Sequence, residues 1–181
     1  NNSLTSLEGC PKTVNGDFFC SKNNLVSLFE GPTEVGHFDC SFNQLKNLSY
    51  APKEVKGNFN CSNNEITSIK GMPRTVKGNF NCSNNKLSNL KGGPKYIDES
   101  FDCSDNQIER LNGGPVSVGR DYICSRNSIT DLDGIADEIG YDLVTDVRLN
   151  HITSTFNEEE RNWRYKGSEV VSHIYKPIVA L

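Results

Sequence analysis

Little in this sequence points to catalysis, membranes or nucleic acid. Its 181 residues hold three histidines, one methionine and one tryptophan. His37, His151 and His173 lie in separate parts of the chain, so no two histidines are set up for catalysis by nearness in sequence. Hydrophobic residues make up 35% of the chain, below the share usual in globular domains. No apolar run reaches the ~20 residues of a membrane span, and no membrane partner is expected. No signal peptide is visible at the start. Positive charge is in the minority, with 19 Lys and Arg against 23 Asp and Glu. That balance disfavours a nonspecific polyanion binder.

What the chain does have is one motif, repeated. In VKGNFNCSNNKLSNL (76–90) the cysteine is Cys82, and Cys20, Cys40, Cys61, Cys103 and Cys124 fill the same slot, at spacings of 20, 21, 21, 21 and 21 residues. An aromatic stands two places before each: Phe18, Phe38, Phe59, Phe80, Phe101 and Tyr122. Serine follows each cysteine, and asparagine stands three places after it, from Asn23 to Asn127. Leu or Ile comes two places later and again three beyond that, while a proline column (Pro11, Pro32, Pro52, Pro73, Pro94, Pro115) opens each unit. A fixed period of this length is the signature of a solenoid, in which each repeat packs only on its neighbours. Asn2, Leu4 and Leu7 match the tail of a unit, so the chain is expected to start inside one.

Seven cysteines invite a disulfide or metal reading. Zinc ligands usually come in pairs two to four residues apart, whereas these are twenty or more apart. Stacked rungs would bring neighbouring thiols to about 4.8 Å, within disulfide reach, but pairing would break the equivalence of the rungs. The column is therefore read as small apolar filling. Free thiols, no metal, no cofactor and a reducing compartment such as the cytoplasm are expected.

Val14, Gly16, Phe18 and Cys20 alternate with Asn15, Asp17 and Phe19. Period-two alternation predicts a short strand with Phe and Cys inward, parallel to the equivalent strand one turn on. The asparagine after it is expected to bond the turn backbone. The paired Leu/Ile positions fill the core behind the sheet, and Gly and Pro make the last corner. No helical pattern lies between Leu28 and Val35, which predicts an irregular or extended convex side.

These residues resemble the leucine-rich repeat, whose consensus places L-x-x-L-x-L before x-x-N/C-x-L. Aligned on Asn85, the consensus leucines fall on Phe80, Cys82 and Leu87; the first falls on Lys77, beside Val76, one residue out of phase. The short period and Gly-Pro corner are similar to repeats in bacterial and tailed-phage proteins. The resemblance covers about residues 1–155. It implies a parallel β-strand per repeat and a binding scaffold with no fixed ligand, placed in the host cytoplasm if the chain is phage-encoded.

The pattern changes in the seventh unit. Leu143 and Thr145 take the aromatic and cysteine slots, Ala136 stands for proline, and Arg148 stands where asparagine belongs. This reads as a terminal rung, followed by a cap over 156–181. Asn157 with Glu160 forms a capping box opening a helix through EEERNWRY, with a second helix expected over EVVSHIY. Trp163, Tyr165, Val170, Val171 and Ile174 are expected to cover the end of the core.

Uniform columns follow from stacking, so specificity is expected where the repeats differ. The slot before the aromatic reads Asp17, His37, Asn58, Asn79, Ser100, Asp121, Asp142. The slot between aromatic and cysteine reads Phe19, Asp39, Asn60, Asn81, Asp102, Ile123, Val144. The slot two after cysteine reads Lys22, Phe42, Asn63, Asn84, Asp105, Arg126. Phe19, Phe42 and Ile123 are candidate anchors, because interface energy concentrates in a few apolar residues. The candidate partner-binding set is Asp17, Phe19, His37, Asp39, Phe42, Asn58, Asn60, Asn79, Asn81, Asp102, Asp121 and Ile123, for a partner protein or peptide. A catalytic Cys–His pair is set aside, because the cysteines alternate to the face opposite His37. The expectation is a non-enzymatic scaffold, with a structural role in a virion or larger assembly as the alternative. The oligomeric state is not legible. A column of Lys12, Lys53, Arg74 and Lys95, with Lys56 and Lys77, makes a basic corner that would bring weak nucleic-acid contact; solvated charge is the simpler account.

Overall fold

The computed structural model describes residues 2–145, with two further strand segments at 164–165 and 170–172. In chain order the strands are β1 Phe18–Phe19, β2 Glu34–Val35, β3 Phe38–Asp39, β4 Glu54–Val55, β5 Phe59–Asn60, β6 Thr75–Val76, β7 Phe80–Asn81 and β8 Tyr96–Ile97. They continue with β9 Phe101–Asp102, β10 Ser117–Val118, β11 Tyr122–Ile123, β12 Glu138–Ile139, β13 Leu143–Thr145, β14 Arg164–Tyr165 and β15 Val170–Ser172. Odd-numbered strands β1 to β15 form one eight-stranded sheet in chain order, and β6, β8, β10, β12 and β14 form a second. A short pair, β2 and β4, makes a third. Every pairing is parallel, with Phe18, Phe38, Phe59, Phe80, Phe101, Tyr122 and Leu143 in register. The chain is a parallel β-solenoid.

The interior follows from the repeat. The six column cysteines, the aromatics from Phe38 on, and the Leu/Ile pairs from Leu25 to Leu111 are buried. Successive rings stack with centroids 5.9, 5.1, 5.8, 5.5 and 5.0 Å apart from Phe18 to Tyr122. Burying a side chain of this size stabilises by roughly 1.5–3 kcal/mol, so one rung gains most of its stability from its neighbours. At the start of the chain Leu7 is buried in the phase of Leu28. Leu4 accepts a hydrogen bond from Asn24 N through its carbonyl (2.9 Å), although its side chain stays exposed.

Two expectations change. The single strand read from Val14 to Cys20 is reduced to Phe18–Phe19 with an isolated bridge at Thr13. From the second turn on, the equivalent stretch is split into two short pieces, such as β4 and β5, with a bend at Lys56–Gly57 between them. The bend makes room for a side chain of the preceding rung, described below. The helical cap is also replaced in the described residues. Arg164–Tyr165 pairs with β12 and Val170–Ser172 pairs with β13, both as parallel strands. The open edges of β12 and β13 offer unpaired backbone groups that an added strand satisfies, and the β-branched Val170 and Val171 favour extension. Arg148, Asn157, Glu160, Trp163 and Ile174 lie outside the described residues. Leu143 and Thr145 take the inward slots and are fully buried.

Candidate binding face

Beneath the face runs the asparagine column. Asn43 Nδ2 donates to the carbonyls of Cys20 (3.0 Å), Cys40 (3.0 Å) and Ser41 (3.2 Å), while its Oδ1 accepts from Leu25 N (2.9 Å). Asn64, Asn85, Asn106 and Asn127 make the same set one rung further each time. Each amide therefore ties its own turn to the one before, at the corner where the sheet ladder stops.

The slot before the aromatic makes a second ladder that uniformity did not reveal, because its residue types differ. Asp17 Oδ1 accepts from His37 N (2.8 Å), His37 Nδ1 from Asn58 N (2.9 Å), and Asn58 Oδ1 from Asn79 N (2.8 Å). Asn79 Oδ1 accepts from Ser100 N (3.0 Å), Ser100 Oγ from Asp121 N (3.3 Å), and Asp121 Oδ1 from Asp142 N (3.3 Å). The common property is an acceptor at short reach. At His37 the acceptor is the ring nitrogen Nδ1. The signal available in the sequence was the glycine two places before the aromatic: Gly36, Gly57 and Gly78. A Cβ at Gly36 would meet Asp17 Oδ1 at 2.6 Å, and one at Gly57 would meet the His37 ring at 2.6 Å. Where Arg120 and Tyr141 take that slot, a glycine stands one place upstream, and a Cβ at Gly119 or Gly140 would run into the backbone carbonyl of Asp98 or of Gly119.

The slot between aromatic and cysteine is a turn device in the middle rungs. Oδ1 of Asp39, Asn60, Asn81 and Asp102 accepts from the backbone of Ser41 (2.9 Å), Ser62 (3.1 Å), Ser83 (2.9 Å) and Ser104 (2.9 Å). Ser83 and Ser104 add their hydroxyls at 2.7 and 2.6 Å. In the same slot Phe19 and Ile123 have no such acceptor. Phe19 is 68% exposed, and Ile123 is half-buried.

The third slot, two after cysteine, is left-handed throughout: Lys22, Phe42, Asn63, Asn84, Asp105 and Arg126 have φ of 54°, 52°, 56°, 51°, 53° and 53°. Asn and Asp tolerate this region, whereas a bulky residue there is an outlier. Phe42 is the one aromatic in the column, where Lys22 and Arg126 also depart from Asn and Asp, and it is 51% exposed. The column pairs along its length. Lys22 Nζ lies 5.7 Å from the Phe42 ring centre, and Asn84 Nδ2 donates to Asn63 Oδ1 (2.5 Å). Arg126 grips Asp105 with two bonds of 2.5 and 2.6 Å, and its guanidinium holds the Asp105 carboxyl below the usual range.

Eleven of the twelve candidate residues stand in the two slots that flank the inward aromatic, and Phe42 stands at the left-handed turn beyond the cysteine. Asp17, His37, Asn58, Asn79 and Asp121 hold the next rung, and Asp39, Asn60, Asn81 and Asp102 hold their own turns. Phe19, Phe42 and Ile123 carry no such bond. The thiols are on the other face. No disulfide joins any of the seven cysteines, and burial pushes the Cys20 thiol up to about 12 and the thiols of Cys40, Cys61, Cys82 and Cys103 well above their ordinary value. The Cys40 and Cys61 thiols instead donate to the Asn60 and Asn81 carbonyls (3.5 Å each). No thiolate is poised beside His37. Among the described residues no three His, Cys, Asp or Glu side chains form a metal-sized group.

Several residues of the basic corner have local partners. Lys56 pairs with Glu34 (2.6 Å) and Lys77 with Asp98 (3.2 Å). The Arg74 guanidinium lies 5.7 Å from the Tyr96 ring centre. Lys95 Nζ donates to the carbonyls of Gly113 (2.8 Å) and Gly114 (2.9 Å). Such exposed pairs contribute about 0–1 kcal/mol each.

Comparison of the chain with protein-family models, with curated proteins and with solved structures finds no match. Among the described residues no helix is long and apolar enough to cross a membrane.

Proposed function

We propose that this solenoid is a non-enzymatic scaffold that binds a partner protein or peptide through its strand face, with the contact centred on Phe19 and Phe42 at the N-terminal rungs. The observation that carries the reading is Phe42 itself. It holds a left-handed backbone position suited to asparagine, at a cost of order 1 kcal/mol, and exposes half of its ring. Asn63 and Asn84 fill the same corner without a ring, and the Lys22 ammonium 5.7 Å from the Phe42 ring centre is an exposed contact. A solvent-exposed ring retained against a local penalty suits an interface anchor. The surrounding ladder supports the same reading, because side chains already fixed by rung-to-rung bonds lose little conformational entropy on binding.

Phe42→Asn separates binding from folding, since it substitutes the residue its own column prefers. Affinity capture from cells that naturally contain the protein should recover a partner on the native chain and lose it with Phe42→Asn and with Phe19→Ser. Equal recovery by all three would remove the strand face from the argument.

A further inference from the structure

A separate concavity lies on the flank away from the strand face. It has a volume of about 420 Å³ and is lined by Thr5, Ser6, Glu8, Ser27, Phe29 and Glu30. That volume is within the range of small-ligand sites. Its aromatic wall is set in place: the Phe29 ring meets Tyr50 edge-on, with centroids 5.1 Å apart and planes at 77°, yet Phe29 stays 57% exposed. Two hydroxyl oxygens are held nearby, Ser27 Oγ by Phe29 N (3.0 Å) and Ser6 Oγ by Glu8 N (3.2 Å).

The carboxylates of Glu8 and Glu30 enter no ion pair among the described residues. Lys12 directs its ammonium to the Glu30 backbone carbonyl (3.0 Å) and not to either carboxylate. The concavity therefore combines an exposed ring with two negative charges and hydroxyl acceptors. A cation that loses its water on one side to a ring and gains anions on the other is the complementary ligand. An ammonium fits better than a guanidinium, because its three donors spread in different directions toward separate acceptors, whereas the planar fork wants one carboxylate edge-on.

We propose that this concavity is a binding site for a lysine side chain of a peptide, distinct from the strand face. Glu30 gives a clean way to test it. It has φ of 65° at a turn position where Gly9, Gly71, Gly92, Gly113 and Gly134 stand in other repeats. Glu30→Gly thus removes one carboxylate while giving the turn the residue it takes elsewhere, so loss of binding would not reflect loss of fold.

The measurement is backbone amide shifts of the whole chain on titration with N-acetyl-lysine methylamide, alongside its norleucine counterpart of the same shape without charge. Saturable shifts confined to residues 5–8 and 27–30, at millimolar ligand, are expected for the lysine compound alone. Glu30→Gly and Glu8→Gln should each weaken it roughly two- to fivefold, and Phe29→Leu should weaken it too. Phe19→Ser should leave it unchanged, which separates this site from the strand-face reading. Absent shifts, equal shifts with the norleucine compound, or undiminished binding by Glu30→Gly would each overturn the proposal.

Discussion

Gly57 lies directly against the imidazole of His37, so close that a methyl group on its Cα would meet Cε1 and Nδ1 at 2.6 Å. The same imidazole accepts a hydrogen bond from Asn58 N (2.9 Å), the residue that follows the glycine. Room and bond are two halves of one device. The glycine lets the preceding rung's side chain lie over the bend, and that side chain satisfies the amide the bend leaves unpaired.

Gly57→Ala should therefore push His37 aside and strand the Asn58 amide, lowering stability by about 1–3 kcal/mol. Denaturant midpoints at neutral pH would measure it. His37→Ala already loses the bond and opens the space, so adding Gly57→Ala to it should cost less than Gly57→Ala alone. Fully additive costs would mean that ring and glycine are not coupled.

Tyr122 supplies the opposite sign. Its ring fills the aromatic column, fully buried, but its hydroxyl is the one buried side-chain polar atom without a partner among the described residues. Burial pushes the phenol well above its ordinary value. The five residues before it in the column are phenylalanine, so the site accepts that shape. Tyr122→Phe should leave the fold intact and raise unfolding free energy by about 1 kcal/mol. A loss of stability would reveal a bond to the hydroxyl in solution.

The thiol column sets an alkaline limit. Burial raises the thiols above their ordinary value of 9.0, Cys20 to about 12. A group whose folded value is raised binds its proton more tightly in the native state, so its contribution is intact below pH 9. It is then lost as pH rises toward the folded value. In that window each buried thiol steepens the fall by up to about 1.4 kcal/mol per pH unit. Unfolding free energy should be flat from pH 7 to 8 and drop sharply between 9 and 11. Replacing Cys82 by Val should make the drop shallower by about one thiol's share. A pH-independent stability across that range would place the sulfurs in water.

The period, the inward columns and the parallel stacking were all legible in the sequence, because each depends on repetition. Cys82, Phe80 and Leu87 sit at fixed phases, and stacking turns fixed phases into continuous columns. The ladder through Asp17, His37, Asn58, Asn79, Ser100 and Asp121 was not read, since its members share an acceptor atom and not a residue type. The left-handed conformation of Phe42 was hidden similarly: the column it joins holds Lys, Asn, Asp and Arg, and only the asparagines hint at positive φ. At the C-terminal end, Asn157 and Glu160 suggested a helix by local pattern, but the edges of β12 and β13 take strands at Arg164 and Val170. There the demand of an open sheet edge outweighs local propensity.

Charge and geometry on the strand face are separable at Asp39 and Asp102. Each carboxylate holds the turn behind it, with Oδ1 on Ser41 N and Ser104 N at 2.9 Å, and each presents negative charge outward beside the aromatic anchors or the amide-rich middle. A lysine in either place would remove both properties at once and loosen the turn, so weaker binding by it would not distinguish them. Asn60 and Asn81 make the same turn bond with a neutral amide, so Asp39→Asn and Asp102→Asn should leave stability within about 0.5 kcal/mol. If the partner is drawn by charge, the double variant should bind with a slower association rate and a weaker salt dependence, while dissociation changes little. If shape and Phe42 govern the contact, both rates should stay as they are, and the acids on this face serve the turn alone.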